Sequence, residues 1–111
     1  MINYEGRRFR SAEALPGESA EAVYRQEGDL VWAEIKGGDV RHGSLAGLCD
    51  AGGRVEFAYI MVRGNGETGE TVVGRCVSRP EILADGRIRL HETWERFLPQ
   101  AAQGESVLDE V

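Results

Sequence analysis

Glu92 is the residue in this chain best placed to do chemistry. It stands between Leu90 and Trp94 in an alternating segment, so it shares their face. That face is apolar, and a carboxylate on it must be paired, hydrogen-bonded or protonated. Such a group can anchor a donor on a ligand or serve as a general base. The plainer alternative is a strand-end glutamate bonded to an arginine or to backbone at the mouth of a barrel. Cys76 and Ser78 fall on one face of the preceding segment. A thiol becomes a nucleophile only with a base nearby and some exposure. His42 and His91 are the only histidines, and alternation turns His91 away from Glu92.

Other signals are weaker. Cys49 and Cys76 form no CxxC pair and read as reduced structural thiols. Cys49, Cys76, His42 and His91 lack the short spacing of a zinc site, so neither metal nor cofactor is expected. Gly64-Asn-Gly66-Glu-Thr-Gly69 matches GxGxxG by letter. That motif cradles phosphate only when a helix follows. Here the β-branched Thr71-Val72-Val73 follows, and Glu67 and Glu70 would repel an anion, so a hairpin loop is expected. Arg7, Arg8 and Arg10 read as a solvated strand edge.

The elements that must position these residues are marked by turns. Turn signals occur at Gly28-Asp29, Gly37-Gly38, Ala51-Gly52-Gly53, Gly64 to Gly69 and Asp85-Gly86. Glycine supplies the positive φ such turns need. Between them lie alternating segments at 30–36, 40–49, 54–62, 71–79 and 87–97. Residues 1–10 read as one or two short strands around Glu5-Gly6, and 11–19 as a loop. Residues 20–27 carry helix-favouring Ala and Glu; the short length and the Gly28 turn favour a strand, and both readings stand. Pro80-Glu81 marks a bulge or bend. Residues 100–104 look like a loop, with an edge strand over 106–108. The pattern predicts an all-β, antiparallel up-and-down meander of about eight strands, closing into one small barrel domain over 1–111.

Alternation also assigns faces. The inward set is Val31, Ala33 and Ile35, then Val55, Phe57, Tyr59 and Met61, then Val72, Gly74, Cys76 and Ser78, then Ile88, Leu90, Glu92 and Trp94. For 40–49, a four-residue loop over 50–53 puts Val40, His42, Ser44, Ala46 and Leu48 inside. It sets Ser44 opposite Tyr59, Ala46 opposite Phe57 and Leu48 opposite Val55. The candidate interior site is then His42, Ser44, Tyr59, Cys76, Ser78, Glu92 and Trp94. Aromatic walls with a few polar groups suit one small ligand.

The bulk numbers narrow the partners. The 111 residues carry 13 Lys+Arg against 19 Asp+Glu, a net charge of −6. Nucleic acid and anionic membranes are disfavoured. No apolar run reaches the ~20 residues of a membrane helix, and the polar start lacks a signal-peptide pattern. A cytoplasmic protein is expected. The outward set contains Leu45, Cys49, Ala58, Ile60, Val62, Val73 and Val77. Neighbouring strands would join these into an apolar surface, best covered by a second copy. A homodimer through Leu45, Ile60, Val73 and Val77 is expected.

The run Gly74-Arg-Cys76-Val-Ser78-Arg-Pro80-Glu81-Ile-Leu83-Ala-Asp85-Gly86-Arg-Ile88-Arg89-Leu90-His91-Glu92-Thr-Trp94 carries a resemblance. Gly37-Gly38, Gly43-Ser-Leu45-Ala-Gly47 and the ending Gly104-Glu-Ser106 share in it. Together they resemble a group of small bacterial proteins often labelled N-acetylglutamate synthase. The resemblance covers most of the chain and implies an avidin-like, or calycin-like, β-barrel. An acetyltransferase of the labelled kind needs a pyrophosphate-cradling turn leading into a helix within an α/β fold. The sequence shows no such turn. A binding or interaction protein is the expected function, with an enzyme built on Glu92 and Cys76 or His42 as the rival.

Overall fold

The computed structural model describes residues 2–13 and 19–111. Eight strands follow one another: β1 (Arg8–Ser11), β2 (Glu21–Glu27), β3 (Leu30–Gly37), β4 (Val40–Cys49), β5 (Val55–Arg63), β6 (Glu70–Ile82), β7 (Ile88–Leu98) and β8 (Ala102–Glu110). Each pairs antiparallel with the next, and β8 returns to β1, so the sheet closes on itself. β2 is a strand despite its Ala and Glu, because β1 and β3 both bond it. Pairing on two sides outweighs a weak helical preference. The Gly64–Gly69 segment is a hairpin loop holding one 3-10 turn, Gly66–Thr68, and β6 follows it directly.

β8 is longer than the sequence suggested. The stretch that looked like a loop with a short edge strand is nine continuous residues paired to β7, and this strand closes the barrel. Gly104, which reads as a loop residue, sits opposite Trp94. A Cβ there would lie 2.6 Å from the Trp94 ring. The glycine is therefore required by the ring, and the strand is not interrupted by it. Pro80 also fails to break its strand. β5 ends at Val55 opposite Ser78, so beyond Ser78 β6 has no partner on that side. A proline lacking its N–H is tolerated on such a free edge.

One end of the barrel is plugged. Ile2 to Tyr4 cross it, and Tyr4 is fully buried against Phe9 and Tyr24. The three rings lie 5.1–6.2 Å apart between centroids. The Tyr4 hydroxyl donates to the Gly53 carbonyl, and its backbone N–H donates to Gln26 Oε1 at 2.9 Å. Gly53 holds a φ of +87° with Ile2 packed against it, so a side chain there would be strained and crowded.

The expected inward faces of β3, β5, β6 and β7 are the observed ones. β4 is inverted. Cys49, not Leu48, pairs with Val55, Leu45 pairs with Tyr59, and Ser44 pairs with Ile60. Five residues rather than four separate the paired positions, with Asp50 N–H donating to Arg54 O. At the other end, irregularities near Lys36 and Arg41 shift the register. An odd residue sends every side chain to the opposite face. Leu45 and Cys49 therefore join the core, while His42, Ala46 and Leu48 are exposed and Ser44 shares their outer face. The inward positions Gly43 and Gly47 carry no side chain to signal their direction.

Candidate functional site

The interior of the barrel narrows to a cavity of about 360 Å³, closed at the Tyr4 end and reaching the opposite rim. Its floor contains Phe9, Tyr24, Cys76 and Glu92; its waist, Phe57, Tyr59 and Trp94. Small residues opposite make room for these rings. Tyr59 lies over Gly74, Trp94 over Gly104 and Phe57 against Gly47. The Trp94 indole N–H donates to Ser106 Oγ at 2.9 Å, which fixes the ring across β7 and β8.

Five of the expected interior residues point inward: Tyr59, Cys76, Glu92 and Trp94 line the cavity, and Ser78 is buried in register with Glu92 without lining it. His42 and Ser44 do not join them, for the one-residue reason given above. Among the cavity residues that were missed, three bear on its chemistry. Tyr24 lies on β2, whose face was never assigned. Arg96 continues the parity of Glu92 and Trp94 by one more step, so the signal was present but not followed. Arg10 was read as solvated edge and instead lines the rim.

Ser78, Glu92 and Ser106 stand in one row across β6, β7 and β8. Glu92 faces the cavity, and its Oε2 is buried without a hydrogen-bond partner. Ser78 Oγ and Tyr24 Oη are also buried and unpartnered. Burial pushes the Glu92 carboxyl up to about 7. The nearby Ser78 hydroxyl and Cys76 thiol draw it back down, though no hydrogen bond of good geometry reaches Ser78 Oγ. Burial, then the Glu92 charge, raises the Cys76 thiol. The same two causes, in the same order, raise Tyr24. At neutral pH the floor therefore presents hydroxyl and thiol donors around a carboxyl that can give or accept a proton.

A closed eight-stranded meander with a cul-de-sac of this kind is a binding scaffold. A family model described as "Avidin-like protein" matches residues 2–111. The chain belongs to the avidin-like family. Neither a curated protein nor a solved structure matches it. An avidin-like barrel is suited to holding a small molecule in its interior, and here that interior holds the unpartnered Glu92 and Tyr24 side-chain atoms.

Proposed function

We propose that this avidin-like barrel binds a small organic molecule in its interior, with a polar group of the ligand seated against Glu92 and Tyr24. One observation carries the reading: the unpartnered Glu92 Oε2 and Tyr24 Oη belong to residues lining one cavity, and the unpartnered Ser78 Oγ stands in register with Glu92. An unpaired buried polar atom costs about 1–3 kcal/mol, and few are tolerated without reason. A ligand carrying both a donor and an acceptor would satisfy them together. Binding is favoured over nucleophilic catalysis because burial keeps Cys76 a thiol and both histidines are exposed. Thermal denaturation against a panel of small polar compounds tests this. Compounds that bind should raise the melting temperature of the wild type and not that of Glu92→Leu. Equal shifts in both proteins would place the binding elsewhere and defeat the reading.

We also infer that two copies associate through the outer face of β4, β5 and β6. Leu45 cannot contribute, being 6% exposed inside the barrel. The most exposed apolar residues of this face are Leu48, opposite Glu56 and 61% exposed, and Ile60, opposite Ser44 and 47% exposed. Ser44, Ile60 and Val73 form one row across the three strands, and Ala46 and Ala58 lie in the next. Exposed apolar area on this scale favours a self-complementary contact.

A further inference from the structure

The plugged end of the barrel is closed by a segment that belongs to no strand. β1 begins at Arg8, and the eight strands close on one another without residues 2–7. Those residues cross the end as a strap, held by separate contacts and not by a ladder. Glu5 is its clasp. The Glu5 carboxylate accepts the Gln26 backbone N–H at 2.9 Å on Oε1 and the Arg25 Nε–H at 2.6 Å on Oε2. Both side chains face water, Glu5 41% and Arg25 57% exposed. Gly6 comes next, with a φ of +77° and open space around its Cβ position. A glycine in that setting absorbs backbone rotation at little cost. Beyond it Arg7 is tied to the barrel wall, its Nη1 2.9 Å from Glu110 Oε1. Clasp, hinge and anchor therefore follow one another along three residues.

The strap also supports the floor of the cavity. Tyr24 lines that floor with its unpartnered hydroxyl. Its carbonyl accepts the Gly6 N–H at 2.8 Å, and its N–H donates to the Arg7 carbonyl at 2.8 Å. Its ring lies 5.6 Å from the Tyr4 ring between centroids. Tyr4 stands behind the floor, outside the cavity lining, yet near enough to Glu92 to feel its charge. Lifting the strap removes the ring behind Tyr24 and the backbone bond from Gly6.

We propose that Ile2–Gly6 is a releasable strap, and that its release opens a second, gated mouth to the cavity past Tyr24. Segments held by a few solvent-facing contacts open locally without unfolding the domain. Full burial of the Tyr4 ring keeps the closed state dominant. The exposed clasp sets how often it opens. The cavity then has a standing entrance at the rim and an intermittent one at the floor, next to Glu92 and Tyr24. The gate does not depend on which compound the cavity holds.

The two cysteines report on it. Cys49 donates to the Asp50 carbonyl at 3.4 Å, in the same turn whose Gly53 carbonyl accepts the Tyr4 hydroxyl, and it lies outside the cavity lining. Cys76 lines the cavity. Burial raises both thiols, so neither alkylates until water reaches it. Labelling by iodoacetamide, a small neutral reagent, is followed at each site by mass spectrometry. In the wild type both rates should be nearly independent of urea well below the unfolding midpoint, because lifting five residues exposes little surface. Glu5→Ala should speed both about tenfold, as loss of a charge-assisted contact implies. Added salt should speed both in the wild type by screening the clasp. Rates that climb with urea as steeply as global unfolding would overturn the proposal, as would rates that Glu5→Ala leaves unchanged. Acceleration at Cys49 alone would show a strap that lifts without opening the cavity, and acceleration at Cys76 alone would show entry by the rim. Either result defeats the second mouth.

Discussion

Glu92 gives the protein a pH dependence of its own. An ordinary glutamate titrates near 4.5, and burial raises this one to about 7. In that window the folded protein holds a proton that the unfolded chain has released. The Glu92 contribution to stability therefore falls as pH rises from about 4.5 through about 7, by about 3 kcal/mol. Glu92→Gln should flatten this dependence, raising the melting temperature near pH 8 more than near pH 5. Equal shifts at both pH values would mean that the carboxyl is not buried in solution. Glu92→Leu should fold, because the buried Ser78 and Tyr24 hydroxyls have no hydrogen bond to the carboxylate to lose. This residue was legible in the sequence because it interrupts an apolar face. Tyr24 was not, since a tyrosine in a strand of mixed composition does not declare its side. Arg96 was passed over because a charged residue near a strand end ordinarily points to water.

At the scale of elements, paired glycines and rings decide how closely strands approach. A Cβ on Gly47 would strike the Glu56 carbonyl and come within 2.6 Å of Phe57 Cα, both backbone atoms. A Cβ on Gly104 would meet only the Trp94 side chain. Gly47→Ala should therefore cost more than Gly104→Ala, by at least about 1 kcal/mol in urea unfolding, because only the second clash can be relieved by a side-chain shift. At the plugged end, Tyr4→Phe strands the Gly53 carbonyl and should cost about 1–3 kcal/mol. A neutral result in either case would show that the contact relaxes cheaply. The faces of β3, β5, β6 and β7 were readable because apolar side chains mark one side. β4 was not readable, because its inward positions include Gly43 and Gly47 and its outward ones Ala46 and Leu48. There the register comes from loop length, and a single residue in the 50–54 turn reverses it. β8 was hidden for a similar reason: its glycine serves a ring on the neighbouring strand.

The whole molecule is a closed barrel with one plugged end, one basic rim and one apolar flank. Closure by β8 confines unpaired edge to short stretches such as β6 beyond Ser78, so the proposed association uses a face. Sedimentation at micromolar concentration should show a dimer, and Ile60→Glu should dissociate it; a monomeric wild type would leave the apolar flank without a partner. The central claim is that the interior holds a small molecule against Glu92. Native mass spectrometry of protein taken from the cells that make it tests this most directly. The account predicts a retained adduct on the wild type that is lost in Glu92→Leu. A wild type at its bare polypeptide mass, or an adduct that persists in Glu92→Leu, would contradict it.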